Sequence, residues 1–95
     1  MMQFEWGDAK AASNLAKQGI AFEDATRVFL DPGRLIAEDD RRDYGEQRIR
    51  ILGKVDDRVL LVVCTWRGEV CRLISARKAN ARETRRYDAP ETRSS

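Results

Sequence analysis

Three apolar runs follow one another in the second half of the chain, and they limit its fold more than any other feature. Residues 48–52 alternate arginine with isoleucine, the period of two that is typical of a half-buried strand. Residues 59–63 are apolar at every position, as in a strand that is buried on both sides. After a turn at Arg67-Gly68, residues 70–76 predict a third strand. The runs therefore predict a sheet built largely from neighbouring antiparallel strands.

The loop of the last hairpin sets the register of its two strands. With a loop of two or four residues centred on the predicted turn, Thr65 is expected opposite Val70, and Cys64 opposite Cys71. A disulfide is possible in such a pair, but two packed, reduced thiols are the favoured interpretation.

Helical segments precede and follow these strands. A helix is predicted over residues 9–18, because Gly7-Asp8 offers a cap. A second helix begins at Phe22, where acidic residues suit a helix N-terminus. A third is predicted over residues 80–87, with an asparagine as its cap.

The order of these elements defines an α+β fold. Shorter strands are expected at residues 3–6 and 35–36, and the charged residues 38–45 are interpreted as a surface loop. We expect a mostly antiparallel sheet of four to five strands, with two N-terminal helices on one face and a short C-terminal helix. In this prediction residues 1–89 form a single domain, and residues 90–95 are a polar tail.

Charge is distributed unevenly along the chain. Up to Glu46 there are six basic and ten acidic residues, whereas from Gln47 onward there are twelve basic and six acidic residues. Ten of those twelve basic residues are arginines. Such a basic second half points to a polyanion or an acidic protein as its partner.

The cysteine and histidine content excludes several classes of protein. The chain has two cysteines and no histidine, which excludes a disulfide framework and the usual zinc patterns. We expect no metal and no cofactor. No apolar run approaches the roughly 18 residues that span a bilayer, and the N-terminal residues lack the pattern of a secretory signal. The expected location is therefore the cytoplasm, without a membrane partner.

Four stretches of the chain together resemble the BrnT toxin family. They are Phe4-Glu5-Trp6 with Asn14 and residues 17–22, then residues 45–48, then residues 60–63, and finally residues 72–79 continued by residues 82–87. The fourth stretch includes Ser-Ala-Arg-Lys-Ala, the most recognisable part of the resemblance. Together the stretches cover nearly the whole chain in the family's order.

This resemblance implies a RelE-like fold and a ribonuclease that slows translation. It also implies a BrnA-type antitoxin with a ribbon-helix-helix DNA-binding region. The toxin would then contact DNA only through that partner, as part of a hetero-oligomer.

One position departs from the family, because Gln18 stands where members usually have histidine. A histidine-dependent mechanism at this position is therefore not implied. The absence of histidine also motivates a second hypothesis, a non-catalytic RNA-binding module or a corepressor that acts through a DNA-binding partner.

Arginines are the candidates for binding the phosphate of RNA. Attack by the 2′-hydroxyl on its own phosphate requires a proton acceptor, charge stabilisation at phosphorus and a proton donor. The planar guanidinium group suits the second task, and we assign it to Arg48, Arg72 and Arg77. Arg72 lies among apolar neighbours on its strand, so it needs a partner. That partner is either phosphate or a carboxylate such as Glu46 or Glu69.

Proton transfer has fewer candidates. Glu46 is the expected base, as a carboxylate beside arginines. Lys78 or Tyr87 is the expected donor, if a cationic site lowers its pKa. For Tyr87, packing in the core is the favoured alternative. For Arg50, a structural ion pair with an acid is favoured.

Further contacts are predicted at the hairpin tip and on the last helix. Trp66, beside Arg67, suits stacking on a nucleobase if it is exposed, and folding back onto the sheet is equally expected. Arg82 and Arg86 share one face of the helix, and Arg85 is close by. This face is expected to bind the RNA backbone through Arg82 and Arg86, or an acidic segment of the antitoxin through all three arginines, or to be simply a solvated face. Charge runs more often have one of the last two roles than a catalytic one.

Overall fold

The protein is an α+β domain in a computed structural model that describes residues 2–39 and 45–89. Within those residues the strands are β1 (Gln3–Glu5), β2 (Leu35–Asp39), β3 (Arg48–Val55), β4 (Arg58–Arg67) and β5 (Val70–Lys78). The helices there are α1 (Asp8–Gln18), α2 (Phe22–Ala25), which continues as a 3₁₀ turn (Thr26–Leu30), and α3 (Ala81–Asp88). None of these helices is long and apolar enough to cross a membrane.

The strands form a single sheet in the order β1-β5-β4-β3-β2. β1 is parallel to β5, and the other neighbouring pairs are antiparallel. The predicted α+β class, with its mostly antiparallel sheet and its order of elements, is confirmed.

The two faces of the sheet differ in chemistry, because side chains alternate along each strand. One face, which we call the helix face, packs against α1, α2 and the 3₁₀ turn. The core on this side contains the fully buried side chains of Ile20, Phe22, Val28, Ile51, Leu60, Val62 and Leu73. The opposite face, which we call the arginine face, presents Arg48, Arg50, Arg72 and Arg77 from the strands β3 and β5.

The edge of β5 beyond its short pairing with β1 is occupied by α1. The side-chain amide of Asn14 donates to the carbonyl oxygen of Ala76 at 2.9 Å, and its Oδ1 accepts from the Ala76 N–H at 3.1 Å. The same amide donates to the carbonyl oxygen of Ile20 at 3.1 Å. Asn14 thereby replaces a neighbouring strand at one residue of β5 and pairs backbone groups that burial would leave without partners.

The second helix is shorter than a continuous helix from Phe22 to residue 30 would be. It makes one α-helical turn and then tightens into the 3₁₀ turn, which places Val28 directly on the strand β3. The approach is close, since a Cβ at Gly53 would lie 2.7 Å from the Cβ of Val28. Only glycine fits at this point of β3.

The loop expected at residues 38–45 is partly strand. Glu38 and Asp39 pair with Ile49 and Arg48 and extend β2, so this part of the prediction is wrong. Residues 40–44 of the predicted loop lie outside the described residues.

The β4–β5 hairpin turns one residue later than predicted. Its loop is Gly68-Glu69, and Gly68 has a φ of +61°, a conformation that glycine adopts without strain. Thr65 therefore pairs with Arg72 and not with Val70, so the predicted register is wrong. The error equals two residues, one full period of a strand, so residues 70–73 stay on their predicted face. A β-bulge where Val63 and Cys64 pair with Ser75 and Leu73 then shifts the alternation, and Arg77 comes to lie on the same face as Arg72.

Cys64 and Cys71 are packed on the helix face but are not directly opposite each other. Cys64 pairs with Leu73, and Cys71 pairs with Trp66. Both thiols are free and fully buried. The hydrogen bond between them raises the pKa of Cys64 and lowers the pKa of Cys71.

Helix α3 lies on the arginine face and is fixed at both ends. Asn80 caps it as predicted: its Oδ1 accepts from the Glu83 N–H at 2.8 Å, and the Glu83 carboxylate accepts from the Asn80 N–H at 2.9 Å. This reciprocal pair is a capping box. At the other end, the Tyr87 hydroxyl donates to the Asp31 carboxylate. The helix therefore covers one part of the arginine face. The part near the β4–β5 hairpin loop is not covered by α3.

Candidate functional site

One row of side chains crosses the sheet on the arginine face. Glu5 lies beside Arg72, Arg72 beside Thr65, and Arg48 beside Asp39. The β3–β4 register places Arg48 next to Thr65. We call these five residues the arginine row. Strands are about 4.8 Å apart, so the backbones of Arg48 and Arg72 are separated by roughly 10 Å, with Thr65 between them.

Arg72 forms an ion pair with a residue that the sequence prediction missed. Its Nη1 donates to Oε2 of Glu5 at 3.1 Å, and both side chains are about one third exposed. Its Nη2 lies near Gly7, where a Cβ would be 3.5 Å away. The predicted carboxylate partners, Glu46 and Glu69, are therefore wrong for Arg72. Glu5 reaches it because β1 adds in parallel to β5, a long-range pairing that leaves no local signal in the sequence.

Arg48 is also held by a carboxylate. Its Nε donates to Oε2 of Glu46 at 3.3 Å. Asp39, which is 4% exposed, lies opposite it on β2. The Thr65 hydroxyl donates to the carbonyl oxygen of Gln47 at 2.6 Å, which fixes the start of β3 against β4. Glu46 thus lies beside an arginine, as its predicted role as a base requires, and that role stays a prediction.

Arg77 faces the same side but is engaged with α3. Its Nη1 and Nη2 donate to Oε1 and Oε2 of Glu83, each at 2.9 Å, and Nη1 also donates to the Lys78 carbonyl oxygen at 3.1 Å. This hydrogen bonding is the main reason why the pKa of Glu83 is lowered. In this arrangement the guanidinium of Arg77 fixes the N-terminal turn of α3. Its role as a phosphate ligand stays a prediction.

Arg50 lies on β3, two residues from Arg48 in the direction of α3. The structural ion pair predicted for it is not formed within residues 2–39 and 45–89, and its buried Nε has no hydrogen-bond acceptor there. Its charge contributes to the lowered pKa of Glu83, but both oxygens of that carboxylate bind Arg77. The position of α3 decides this outcome, and the sequence around Arg50 gives no signal of it.

Tyr87 is unsuited to the predicted role of a proton donor. Burial and then the adjacent Asp31 raise its pKa to about 12, so the expectation of a lowered pKa is wrong. The ring lies near Gly33, and Nζ of Lys54 is 5.9 Å from its centroid. These contacts support the alternative, that Tyr87 holds α3 against the body of the domain.

Lys78 lies on the other side of the sheet from the arginine row. It is exposed at the end of β5 and pairs with Leu60, a residue of the buried helix face. The side chains of Lys78 and Arg72 therefore point to opposite faces of the sheet. Lys78 is not part of the arginine row. Its role as a proton donor stays a prediction.

The predicted accessory contacts lie in two places. Trp66 is 44% exposed, as stacking on a nucleobase requires, but it lies on the helix-face side of β4, opposite Cys71. Arg67, the next residue, is exposed on the arginine face. Arg82 and Arg85 are exposed on α3. Arg86 is also exposed, and it borders a cleft between α3 and the strands β2 and β3.

Gln18 is not part of the arginine row. It lies at the exposed end of α1, in a shallow groove between this helix and β5 that also contains Lys10, Lys17 and Ser75. The position at which family members usually have histidine is thus at the side of the sheet.

The arginine row and the adjacent Glu46 together present two kinds of group that phosphate chemistry uses. Arg48 and Arg72 present planar, permanently charged donors that bind phosphate oxygens. Glu5 and Glu46 are carboxylates next to them, and a carboxylate can accept a proton. The fold and this row define the class of the molecule as a small basic α+β domain suited to a phosphate-bearing polymer.

The family of the chain agrees with this class. Residues 6–83 match the family described as "Ribonuclease toxin, BrnT, of type II toxin-antitoxin system", and the chain therefore belongs to this family. It is the ribonuclease toxin of such a system, and its partner is a protein antitoxin. The matched range contains the arginine row apart from Glu5 and ends at Glu83 within α3. Comparison with curated proteins gave no match.

Proposed function

We propose that the chain is a metal-independent endoribonuclease that cuts RNA at the arginine row and thereby inhibits translation. A BrnA-type antitoxin, through which the complex also contacts DNA, would neutralise it in the cytoplasm. The observation that supports this proposal best is the position of Arg48 and Arg72, which flank Thr65 on the part of the arginine face that α3 does not cover.

The phosphate to be cleaved binds between the two arginines. Each of them is already oriented by a carboxylate, Arg72 by Glu5 and Arg48 by Glu46. Side chains held in this way lose little freedom when a phosphate arrives, which favours stabilisation of the charge that develops on phosphorus. In this scheme both guanidinium groups donate hydrogen bonds to the phosphate oxygens.

The 2′-hydroxyl gives its proton to Glu46, and its oxygen attacks the adjacent phosphorus. The bond from phosphorus to the 5′-oxygen then breaks, and the leaving oxygen takes a proton from water. Glu46 suits the role of base because its carboxylate lies 3.3 Å from Arg48 and is about one third exposed, so RNA can reach it. No residue of the row needs to be histidine in this scheme.

Side chains beyond the row extend the contact with RNA. Arg67 continues the arginine face towards the hairpin loop. Trp66 lies on the helix-face side of the same strand and is 44% exposed, so it would stack on a base of RNA that passes around the end of the hairpin. Arg82 and Arg86 on α3 are further candidates for the RNA backbone. Together with Arg85 they are also the candidates for the antitoxin.

Cleavage of a radiolabelled RNA by the purified protein in EDTA tests the proposal. We expect fragments from the wild-type protein, and about 100-fold slower cleavage for Arg72→Gln, the size of effect seen when one donor to a developing oxyanion is removed. Arg58→Gln is the matched control, because Arg58 begins β4 at the opposite end from the hairpin loop, and its rate should stay within about twofold of wild type.

Two results would contradict the proposal. If the wild-type protein retains RNA in EDTA without producing fragments, the non-catalytic binding module is the better function. If Arg48→Gln and Arg72→Gln cleave as fast as Arg58→Gln, the ribonuclease site lies elsewhere.

A further inference from the structure

A cleft of about 340 Å³ separates α3 from the strands β2, β3 and β4 on the arginine face. Its residues are of two kinds, aliphatic on the sheet and charged at the sides. They include Leu35, Ala37, Leu52 and Leu61 on the sheet, with Arg50, Glu83 and Arg86 around them. We call this region the α3 cleft.

The charges of the α3 cleft do not balance. Glu83 is its one acidic residue among those described, and its carboxylate already accepts from Arg77 and from the N–H of Asn80. Arg50 has an Nε without an acceptor in the described part of the chain, and Arg86 is exposed at the rim. Two cations therefore lie beside an aliphatic floor. A carboxylate from a binding partner would neutralise them and accept their hydrogen bonds.

The floor of the cleft favours a peptide over RNA. Apart from Arg50, the sheet residues that line it are aliphatic, and the described part of its lining contains no aromatic ring, whereas stacking on aromatic rings is a main way in which proteins bind RNA bases. A volume of 340 Å³ holds a few side chains. A segment with an aliphatic side chain next to aspartate or glutamate would meet both the floor and the two arginines.

We propose that the α3 cleft is the docking site for an acidic, aliphatic segment of the antitoxin. The segment inserts an aliphatic side chain against Leu52 and Leu61 and places a carboxylate on Arg50 and Arg86. This inference rests on the proposed neutralisation by an antitoxin and adds where the antitoxin binds.

The site explains how such a segment would silence the ribonuclease. Arg50 lies two residues from Arg48 on β3, a distance of roughly 7 Å along a strand. A carboxylate bound at Arg50 would stand next to the phosphate site of the arginine row and repel the RNA backbone. Antitoxin and RNA therefore compete.

The experiment measures binding of the protein antitoxin of this toxin-antitoxin system. Three variants change the cleft in different ways: Arg50→Gln and Arg86→Gln remove one cation each, and Ala37→Phe fills the cleft from β2. We expect each to weaken the complex at least tenfold in calorimetric titrations. Arg58→Gln removes the same charge outside the cleft, and its Kd should stay within about twofold of wild type.

Hydrogen exchange gives a second measurement that does not depend on any variant. The antitoxin should protect the amides of both β2 and α3, and a 12-nucleotide single-stranded RNA should not protect both. The inference is overturned if the antitoxin protects neither element, if RNA protects both, or if folded Ala37→Phe binds the antitoxin as tightly as wild type.

Cleavage assays on the same proteins separate this inference from the proposed function. If the wild-type protein cleaves RNA but its antitoxin does not bind in the α3 cleft, only the proposed docking site is overturned. A wild-type protein that binds its antitoxin in the cleft but does not cleave RNA overturns only the ribonuclease mechanism.

Discussion

The two faces of the sheet are stabilised in different ways. The helix face is closed by apolar packing, and its side chains such as Ile51, Leu60 and Val62 are fully buried. On the arginine face, Arg48, Arg72 and Arg77 are paired with carboxylates and stay partly exposed, and Arg50 has no such partner among the described residues. Apolar burial contributes far more free energy than exposed ion pairs do. The helix face therefore holds the fold, and the arginine face is free to be specialised for binding.

The largest expected effect tests the helix face. In Gly53→Ala the new Cβ would lie 2.7 Å from the Cβ of Val28 and 3.1 Å from its backbone atoms. We expect this overpacking to lower the free energy of unfolding by about 2–3 kcal/mol, as measured by urea denaturation. Cleavage of RNA by the molecules that remain folded should be unchanged.

Gly7→Ala is the matched control, because a Cβ there meets only Nη2 of Arg72, at 3.5 Å. Its cost should stay below about 1 kcal/mol, the range for exchanging glycine with alanine at a helix N-cap. Equal losses of stability in both variants would show that close packing on Gly53 is not what makes the helix face rigid.

A smaller effect distinguishes two arginines of the same strand. Arg77→Gln leaves Glu83 without its bidentate partner, and since this pair is only partly buried we expect a loss of about 1 kcal/mol in the free energy of unfolding. RNA cleavage should change less than fivefold. Arg72→Gln should show the reverse, slow cleavage with nearly normal stability.

The comparison of these two variants shows whether Arg77 takes part in cleavage. If Arg77→Gln slows cleavage as much as Arg72→Gln, then Arg77 leaves Glu83 and binds phosphate during the reaction. The arginine face would then act as one site up to α3.

The smallest effect concerns the contact between Tyr87 and Asp31, which fixes the end of α3. Burial acts to raise the pKa of Asp31, but hydrogen bonds from Tyr87 and from the N–H groups of Lys54 and Gly33 lower it overall. A lowered pKa in the folded state means that the stabilisation is present above about pH 4 and is lost as the pH falls through that lowered value.

The phenol behaves in the opposite way. Its pKa is raised to about 12, so its contribution is present below about pH 10 and is lost as the pH rises through 12. Tyr87→Phe should therefore cost about 1 kcal/mol near neutral pH and flatten the loss of stability at both extremes. Urea midpoints measured between pH 3 and pH 12 check this, and an unchanged pH profile would contradict it.

Most elements of the fold can be predicted from local patterns, and the errors have local causes. The alternation at residues 48–52 and the apolar run at residues 59–63 correctly indicate strands, since period and burial are properties of the chain itself. The hairpin was misplaced because glycine at position 68 can serve as either central residue of the turn. The second helix was not recognised as partly 3₁₀, because its contact with Gly53 is distant in sequence.

The kind of residue that forms the candidate site could be predicted, but the ion pairs between those residues could not. Arginine-rich composition and family resemblance pointed to Arg48 and Arg72, and both lie on the arginine row. Glu5 was missed because it reaches Arg72 across 67 positions of the chain. For Tyr87 the favoured prediction, packing of the last helix, is supported, whereas the ion pair predicted for Arg50 is not formed among the described residues.

The sequence by itself indicated which residues of a strand share a face between irregularities such as β-bulges, but only the β-bulge at Val63 and Cys64 brings Arg72 and Arg77 onto the same face. The sequence also determined the basic character of the second half and the family. Only the tertiary structure decided which charges are neutralised. Ion pairs depend on distances of a few ångströms between segments far apart in the chain, and those distances exist only after β1 has joined β5 and α3 has settled on the arginine face.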